Sequence, residues 1–195
     1  MNLDRGLVQI VDAALAEAAR RSGSWLACRL GCCECCLGPF AITPLDAVRL
    51  RDGLVDLEAR DPGRAGRVRA RAAASAARIL QEFPVDPVAS VLAADDAMEQ
   101  EPCPALDPST GGCDLYAARP ITCRTFGPAL RFRSGPEDQS LAVCELCYRG
   151  ATDSQIAACA VELDLQPETE ILQQLERATG ARADTLVAFA LNEAS

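Results

Sequence analysis

Across residues 3–21, Leu3, Leu7, Ile10, Ala14 and Ala18 recur at helical spacing, while Asp4, Asp12, Glu17 and Arg20 fall elsewhere on the wheel. This pattern predicts an amphipathic helix that Gly23 ends. Thr43-Pro44 reads as an N-cap followed by proline at the first helical position. Ala47, Leu50, Leu54 and Leu57 then give the buried stripe of the helix so opened, and Gly53 is expected to kink or split it. Asp61-Pro62 opens a further helix to about Phe83, with Arg64, Arg67, Arg71 and Arg78 on one face. That face reads as solvated and paired with carboxylates such as Asp95, Asp96 and Glu99 rather than as an anion or partner surface. Pro84 and Pro87 break the chain before a short helix within 88–100.

Residues 103–116 read as a hairpin around a Pro/Ser/Gly turn. A loop centred near Pro108 sets Cys103 and Cys113 opposite each other on neighbouring strands. Arg119-Pro120 starts a helix with Cys123 in or near its first turn. Residues 130–133 and 140–143 suit a second small hairpin. Residues 152–195 read as helical: Ile156, Cys159, Ala160 and Leu163 make one stripe, Pro167 starts a helix that Gly180 ends, and Leu186, Val187 and Phe189 lie on the last. The expected fold is α+β and predominantly helical, with small hairpins around a cysteine-rich centre. It is expected to form a single domain over residues 1–195, with a core at about 25–150 and a helical extension at 151–195.

Composition narrows the chemistry. Aromatic residues make up only 4% of the chain, and alanine supplies much of the apolar share, which predicts a thinly filled core. The net charge is −9 with no large basic block, so nucleic-acid binding is not expected. No run approaches the roughly 20 apolar residues needed to span a bilayer. The first residues lack a signal-peptide pattern, which favours the cytoplasm, where thiols stay reduced. All 19 basic residues are arginine. The absence of histidine removes the commonest general base and every imidazole metal ligand, and the absence of lysine removes Schiff-base chemistry.

What remains is sulfur. The 11 cysteines include the run Cys28, Cys32, Cys33, Cys35 and Cys36, then Cys103, Cys113 and Cys123, the pair Cys144 and Cys147, and Cys159. An odd count and adjacent cysteines argue against a disulfide framework. Short spacings deliver thiolates from bent backbone, and pairs from elsewhere close a site, so the pattern points to metal. An all-thiolate cage selects zinc or iron–sulfur chemistry. Candidate ligands are Cys28, Cys32, Cys35, Cys36, Cys103, Cys113, Cys123, Cys144 and Cys147. Cys33 reads as an extra, and Cys159 as a small hydrophobe on a helix face. Neighbouring side chains diverge, so Cys35 and Cys36 are expected to serve different metals or irons. The partition between one site and two stays open. Arg119 and Arg124 are candidates to offset thiolate charge from beside the centre, the alternative being surface pairs with Asp114 or Glu145.

Cys28-x3-Cys32-x2-Cys35-Cys36, then Cys103-Pro-Ala-Leu, then Cys113-Asp-Leu-Tyr-x2-Arg-Pro-x2-Cys123-Arg-x-Phe126 resembles the YkgJ-type cysteine-cluster family, the CxxCxxCC family of zinc- or iron-chelating domains. The likeness spans about residues 25–150. It implies a metal-chelating cysteine core, often labelled an iron–sulfur oxidoreductase. Cys-x3-Cys-x2-Cys is also the spacing of radical S-adenosylmethionine enzymes, but repeated strand–helix units do not follow it here. The leading expectation is an iron–sulfur cluster, of 4Fe–4S type, used for electron transfer, oxidant sensing or as an accessory to another enzyme. A zinc-stabilised interaction module with a protein partner and a cluster-dependent enzyme on a small substrate stand beside it.

Overall fold

The computed structural model describes residues 2–29, 31–94, 98–133, 139–180 and 183–192. Its elements in chain order are α1 (Asn2–Ser22), β1 (Ala41–Ile42), α2 (Pro44–Arg60), α3 (Pro62–Glu82), α4 (Pro87–Ala93), β2 (Leu106–Asp107) and β3 (Gly112–Cys113). There follow α5 (Ile121–Thr125), β4 (Leu130–Arg133), β5 (Gln139–Ala142), α6 (Asp153–Cys159), β6 (Val161–Leu163), α7 (Gln166–Thr179), β7 (Thr185–Leu186) and α8 (Val187–Asn192). The fold is α+β and predominantly helical. Packing divides the chain into two compact units, Met1–Arg29 with Ile121–Ala178 and Leu30–Pro120 with Thr179–Ser195. No helix among the described residues is long and apolar enough to cross a membrane.

In the unit built from residues 30–120 and 179–195, two proline-led helices, separated only by Asp61, pack against each other. The Thr43 hydroxyl accepts from the Asp46 N–H at 3.2 Å and starts α2. Asp61 ends α2 by donating its N–H to the Leu57 carbonyl at 2.7 Å. Its carboxylate accepts from the Arg64 N–H at 2.9 Å and so starts α3. The predicted stripe Ala47, Leu50, Leu54 and Leu57 is buried, against Ala65, Val68 and Ala72 of α3 and Leu191 of α8. Alanines at the contact let the helices approach closely, which is how a core poor in aromatics fills its space.

Gly53 does not kink α2, which runs unbroken from Pro44 to Arg60. A Cβ at position 53 would stand 2.3 Å from the Ala118 Cβ. The glycine instead leaves room for the 3-10 turn Tyr116–Ala118 to lie against α2.

In the other unit, α1 packs against α5, α6 and β6. β4 is the centre of a three-stranded sheet, antiparallel to β5 and parallel to β6, with Leu130 opposite Val161. The reading of residues 152–195 as wholly helical is corrected here: Val161–Leu163 is a strand. The stripe Cys159, Ala160 and Leu163 is buried as expected, but it straddles the helix–strand junction. Tertiary pairing along β4 overrides a period too short to separate the two structures. Thr185–Leu186 likewise pairs with β1 instead of extending the last helix.

Gly53→Ala is expected to lower stability by about 1–3 kcal/mol through overpacking against Ala118. Gly66→Ala, on an exposed face of α3 with no atom near its Cβ, should raise it by about 0.5–1 kcal/mol. Urea midpoints of the two variants check both signs; a neutral Gly53→Ala would mean that the Ala118 turn is not seated on α2.

Candidate metal centre

The arginine face of α3 is a clamp. Arg64 and Arg71 both grip the Asp114 carboxylate, and the side chain of Asp114 is only 2% exposed. The Arg71 Nε also donates to the Pro104 carbonyl at 2.8 Å. About two turns further on, the Arg78 guanidinium meets the Glu101 carboxylate through two bonds of 2.9 and 2.7 Å. The partners of this face are therefore Asp114 and Glu101. Of the carboxylates expected from the sequence, Asp95 and Asp96 lie outside the described residues. Both actual partners border cysteines: Asp114 follows Cys113, and Glu101 lies two residues before Cys103.

Backbone bonds bring Cys36 to the same place. Its N–H closes a 3-10 turn onto the Cys33 carbonyl at 2.8 Å, and its carbonyl accepts from the Cys103 N–H at 2.7 Å. Leu37 bridges Pro102, and the Gly38 N–H donates to the Glu101 carbonyl at 2.9 Å. Beyond Cys103 the chain turns, with the Leu106 N–H donating to the Cys103 carbonyl at 2.9 Å. The hairpin register pairs Leu106 with Cys113 and Asp107 with Gly112. Cys103 is therefore not opposite Cys113, as a loop centred on Pro108 would have it. The Cys103 turn, not strand pairing, carries the thiol back, and both cysteines pack against the core under α2 and α3.

The four sulfurs sense one another. Cys35 and Cys36 share a thiol–thiol hydrogen bond. They do not diverge as expected, because the 3-10 turn Glu34–Cys36 curls the backbone between them. The bond from the Cys36 thiol, helped by the nearby Arg119 charge, pulls Cys35 down to about 6. Cys36 is pushed up by the same bond, by burial and by the charges of Cys35, Cys103 and Cys113. Burial pushes Cys103 up to about 12 and raises Cys113 as well. Against this, the N–H groups of Ala105 and Leu106 point at the Cys103 sulfur, and that of Leu115 at the Cys113 sulfur. Amide donors aimed at sulfur favour thiolate, whereas burial and mutual repulsion oppose it. A bound cation would supply the missing positive charge.

The other unit holds its own sulfurs. The Cys147 N–H donates to the Cys144 carbonyl at 2.9 Å, and the two thiols share a hydrogen bond. The N–H groups of Leu146 and Cys147 point at the Cys144 sulfur, whose thiol burial nonetheless pushes up. Tyr148, left-handed at φ 57°, pins this turn. Its N–H donates to the Trp25 carbonyl at 2.9 Å, and its phenol oxygen bonds Ser22 and accepts from the Ala129 N–H at 2.8 Å. The Cys144 N–H donates to the Gly127 carbonyl at 3.3 Å. Gly127 has φ 117°, and a Cβ there would sit 2.7 Å from the Cys28 sulfur. Cys123 lies on α5, four residues earlier.

The remaining candidates sort themselves by contact. Cys32 and Cys33 are part-exposed beside the Glu34–Cys36 turn. Cys159 is buried, and its thiol donates to the Arg21 carbonyl at 3.3 Å. The Arg119 guanidinium lies 3.7 Å over the Tyr116 ring. Arg124 is buried and holds both oxygens of Asp12, at 2.8 and 3.0 Å. Asp114, Glu101 and Tyr148 were missed as site-building residues. The adjacency of two of them to cysteines was the available signal.

Sulfur-only donor sets fit zinc or iron and suit neither magnesium nor calcium. Among the described residues, no group of three or more Cys, Asp or Glu side chains is already gathered tightly enough to hold an ion. The fold and these thiols define a cysteine-rich metal-chelating protein. Residues 27–148, more than half of the chain, match the CxxCxxCC family, described as "Putative zinc- or iron-chelating domain", and the chain belongs to that family. Comparison with curated proteins and with solved structures gave no match.

The Glu101 carboxyl is held below its usual range, first by the Arg78 hydrogen bond. A depressed folded-state value gives stability that is present above the unfolded value and is lost as pH falls through the folded one. In chelator, which removes the pH dependence of metal binding, wild-type protein should lose more stability between pH 7 and pH 3 than Glu101→Gln. Parallel stability curves would show that the pair contributes nothing.

Proposed function

We propose that the chain is a zinc-stabilised module in which Cys35, Cys36, Cys103 and Cys113 bind the ion as thiolates. The observation that carries this reading is the bond from the Cys103 N–H to the Cys36 carbonyl at 2.7 Å, which ties the Cys35–Cys36 turn to the hairpin that carries Cys113. Four sulfurs at about 2.3 Å from one ion lie about 3.8 Å apart, a spacing that adjacent hydrogen-bonded thiols can meet. A cubane cluster spreads its ligands over four irons and wants them farther apart. Binding would draw the four sulfurs together, and its free energy would add to that of a core made largely of alanine and leucine.

Within this reading each residue has a task. The amides of Ala105, Leu106 and Leu115 support the ionised thiols. Arg119 offsets surplus negative charge beside Cys35 and Cys113. Arg64, Arg71 and Arg78 hold the two ends of the cysteine segment on α3. A closed four-thiolate ion leaves no position for substrate, so its role is to fix this surface for a protein partner.

A second reading keeps the iron–sulfur cluster, used for electron transfer, oxidant sensing or as an accessory to another enzyme. It is favoured by the surplus of thiols in the unit, since Cys32 and Cys33 stand beside the four. The amide donors and Arg119 would then tune a redox potential.

Metal and sulfide analysis of anaerobically purified protein separates the two. The zinc reading predicts colourless protein with stoichiometric zinc and no acid-labile sulfide. Iron with sulfide and visible absorption would overturn it in favour of the cluster.

A further inference from the structure

We propose that the chain carries a second metal site, formed by Cys28, Cys123, Cys144 and Cys147 within the unit Met1–Arg29 with Ile121–Ala178. The inference rests on the thiolate-binding reading above and deepens it by dividing the cysteines between two ions. It would take the same class of ligand, a soft divalent cation such as zinc or iron(II).

The division follows the folding of the chain. The run from Cys28 to Cys36 reads as one local ligand set in the sequence. The packing boundary falls inside it, with Cys28 in one unit and Cys32 to Cys36 in the other. Each unit then holds a cysteine pair in one tight turn, Cys35 with Cys36 where the Cys36 N–H meets the Cys33 carbonyl at 2.8 Å, and Cys144 with Cys147 where the Cys147 N–H meets the Cys144 carbonyl at 2.9 Å. Each pair is linked by a backbone hydrogen bond to a segment carrying another cysteine: Cys36 directly to Cys103, and Cys144 to Gly127.

Gly127 is the most telling residue. It stands in a left-handed conformation against the Cys28 sulfur, and any larger residue would push a methyl into that sulfur at 2.7 Å. Its carbonyl meanwhile fixes the Cys144 N–H. One glycine therefore brings the Cys28 thiol beside the Cys144–Cys147 turn. Cys123 is connected to the same glycine through only four residues, a reach of at most about 14 Å. The amides of Leu146 and Cys147 facing the Cys144 sulfur add the thiolate support seen in the other set. Tyr148, locked onto Ser22, Trp25 and Ala129, holds that turn on the end of α1.

The test is cobalt(II) titration of the reduced full-length chain, read by sulfur-to-cobalt charge-transfer absorption. Wild-type protein should bind two equivalents. Cys36→Ser/Cys103→Ser and Cys144→Ser/Cys147→Ser should each lose one and keep the other. Cys28→Ser is the gentler variant, because Cys28 is exposed and its loss leaves the core intact. It should weaken only the equivalent that the Cys144/Cys147 variant abolishes, with helical circular dichroism unchanged. A single equivalent in wild-type protein that Cys36→Ser/Cys103→Ser removes would overturn the second site while leaving the proposed function standing. Loss of both equivalents in either double variant with its helical signal intact would mean one shared centre, and would also overturn it. No cobalt bound by wild-type protein would remove the proposed function itself.

Discussion

A buried carboxylate organises the cysteine hairpin. Asp114 is almost wholly out of water, and a carboxylate so placed costs several kcal/mol unless its charge is matched. Arg64 and Arg71 match it, and both come from one face of α3. Because Asp114 follows Cys113 directly, the pairing that satisfies the charge also fixes a thiol. Glu101 and Arg78 repeat the device two residues before Cys103. The cysteine segment is thus fastened to a rigid helix at both ends, and Cys36 is tied to it through the Cys103 amide.

The same construction explains how so slight a core is used. Alanines on α3 and Gly53 on α2 let helices and the Ala118 turn approach closely. They bury less apolar surface than leucines or aromatics would, so packing alone stabilises the hairpin weakly. Ion pairs and backbone bonds set its position, and thiolate–metal bonds would then close it. Site and scaffold would then depend on each other: the clamp holds the cysteine segment in place, and a cation would relieve the repulsion created by drawing the sulfurs together.

Much of this was legible in the sequence. The caps at Thr43 and Asp61, the buried stripe of α2 and the helix at Pro120 follow from local chemistry, which acts over a few residues. The family resemblance rested on cysteine spacing and likewise held. Most of the misread features are non-local. The strand at Val161–Leu163 exists because β4 offers it an edge. Gly53 serves a turn 65 residues away in sequence, so its local reading as a helix breaker failed. The arginines of α3 do form a part-exposed face paired with carboxylates, but the partners that they take, Asp114 and Glu101, lie 23 to 50 residues further on. The hairpin register slipped because Ser109 and Thr110 bond Asp107 and move the turn centre past Pro108. Cys35 and Cys36 look divergent only if the backbone between them is extended.

The central claim is that Cys35, Cys36, Cys103 and Cys113 act as one metal-binding set. Thiol alkylation mapped by mass spectrometry, on native metal-loaded protein under stepwise chelation, tests it most directly. These four cysteines should be protected together and become reactive in a single step. Reactivity of any one of them in fully loaded protein, or their release at different chelator concentrations, would contradict it.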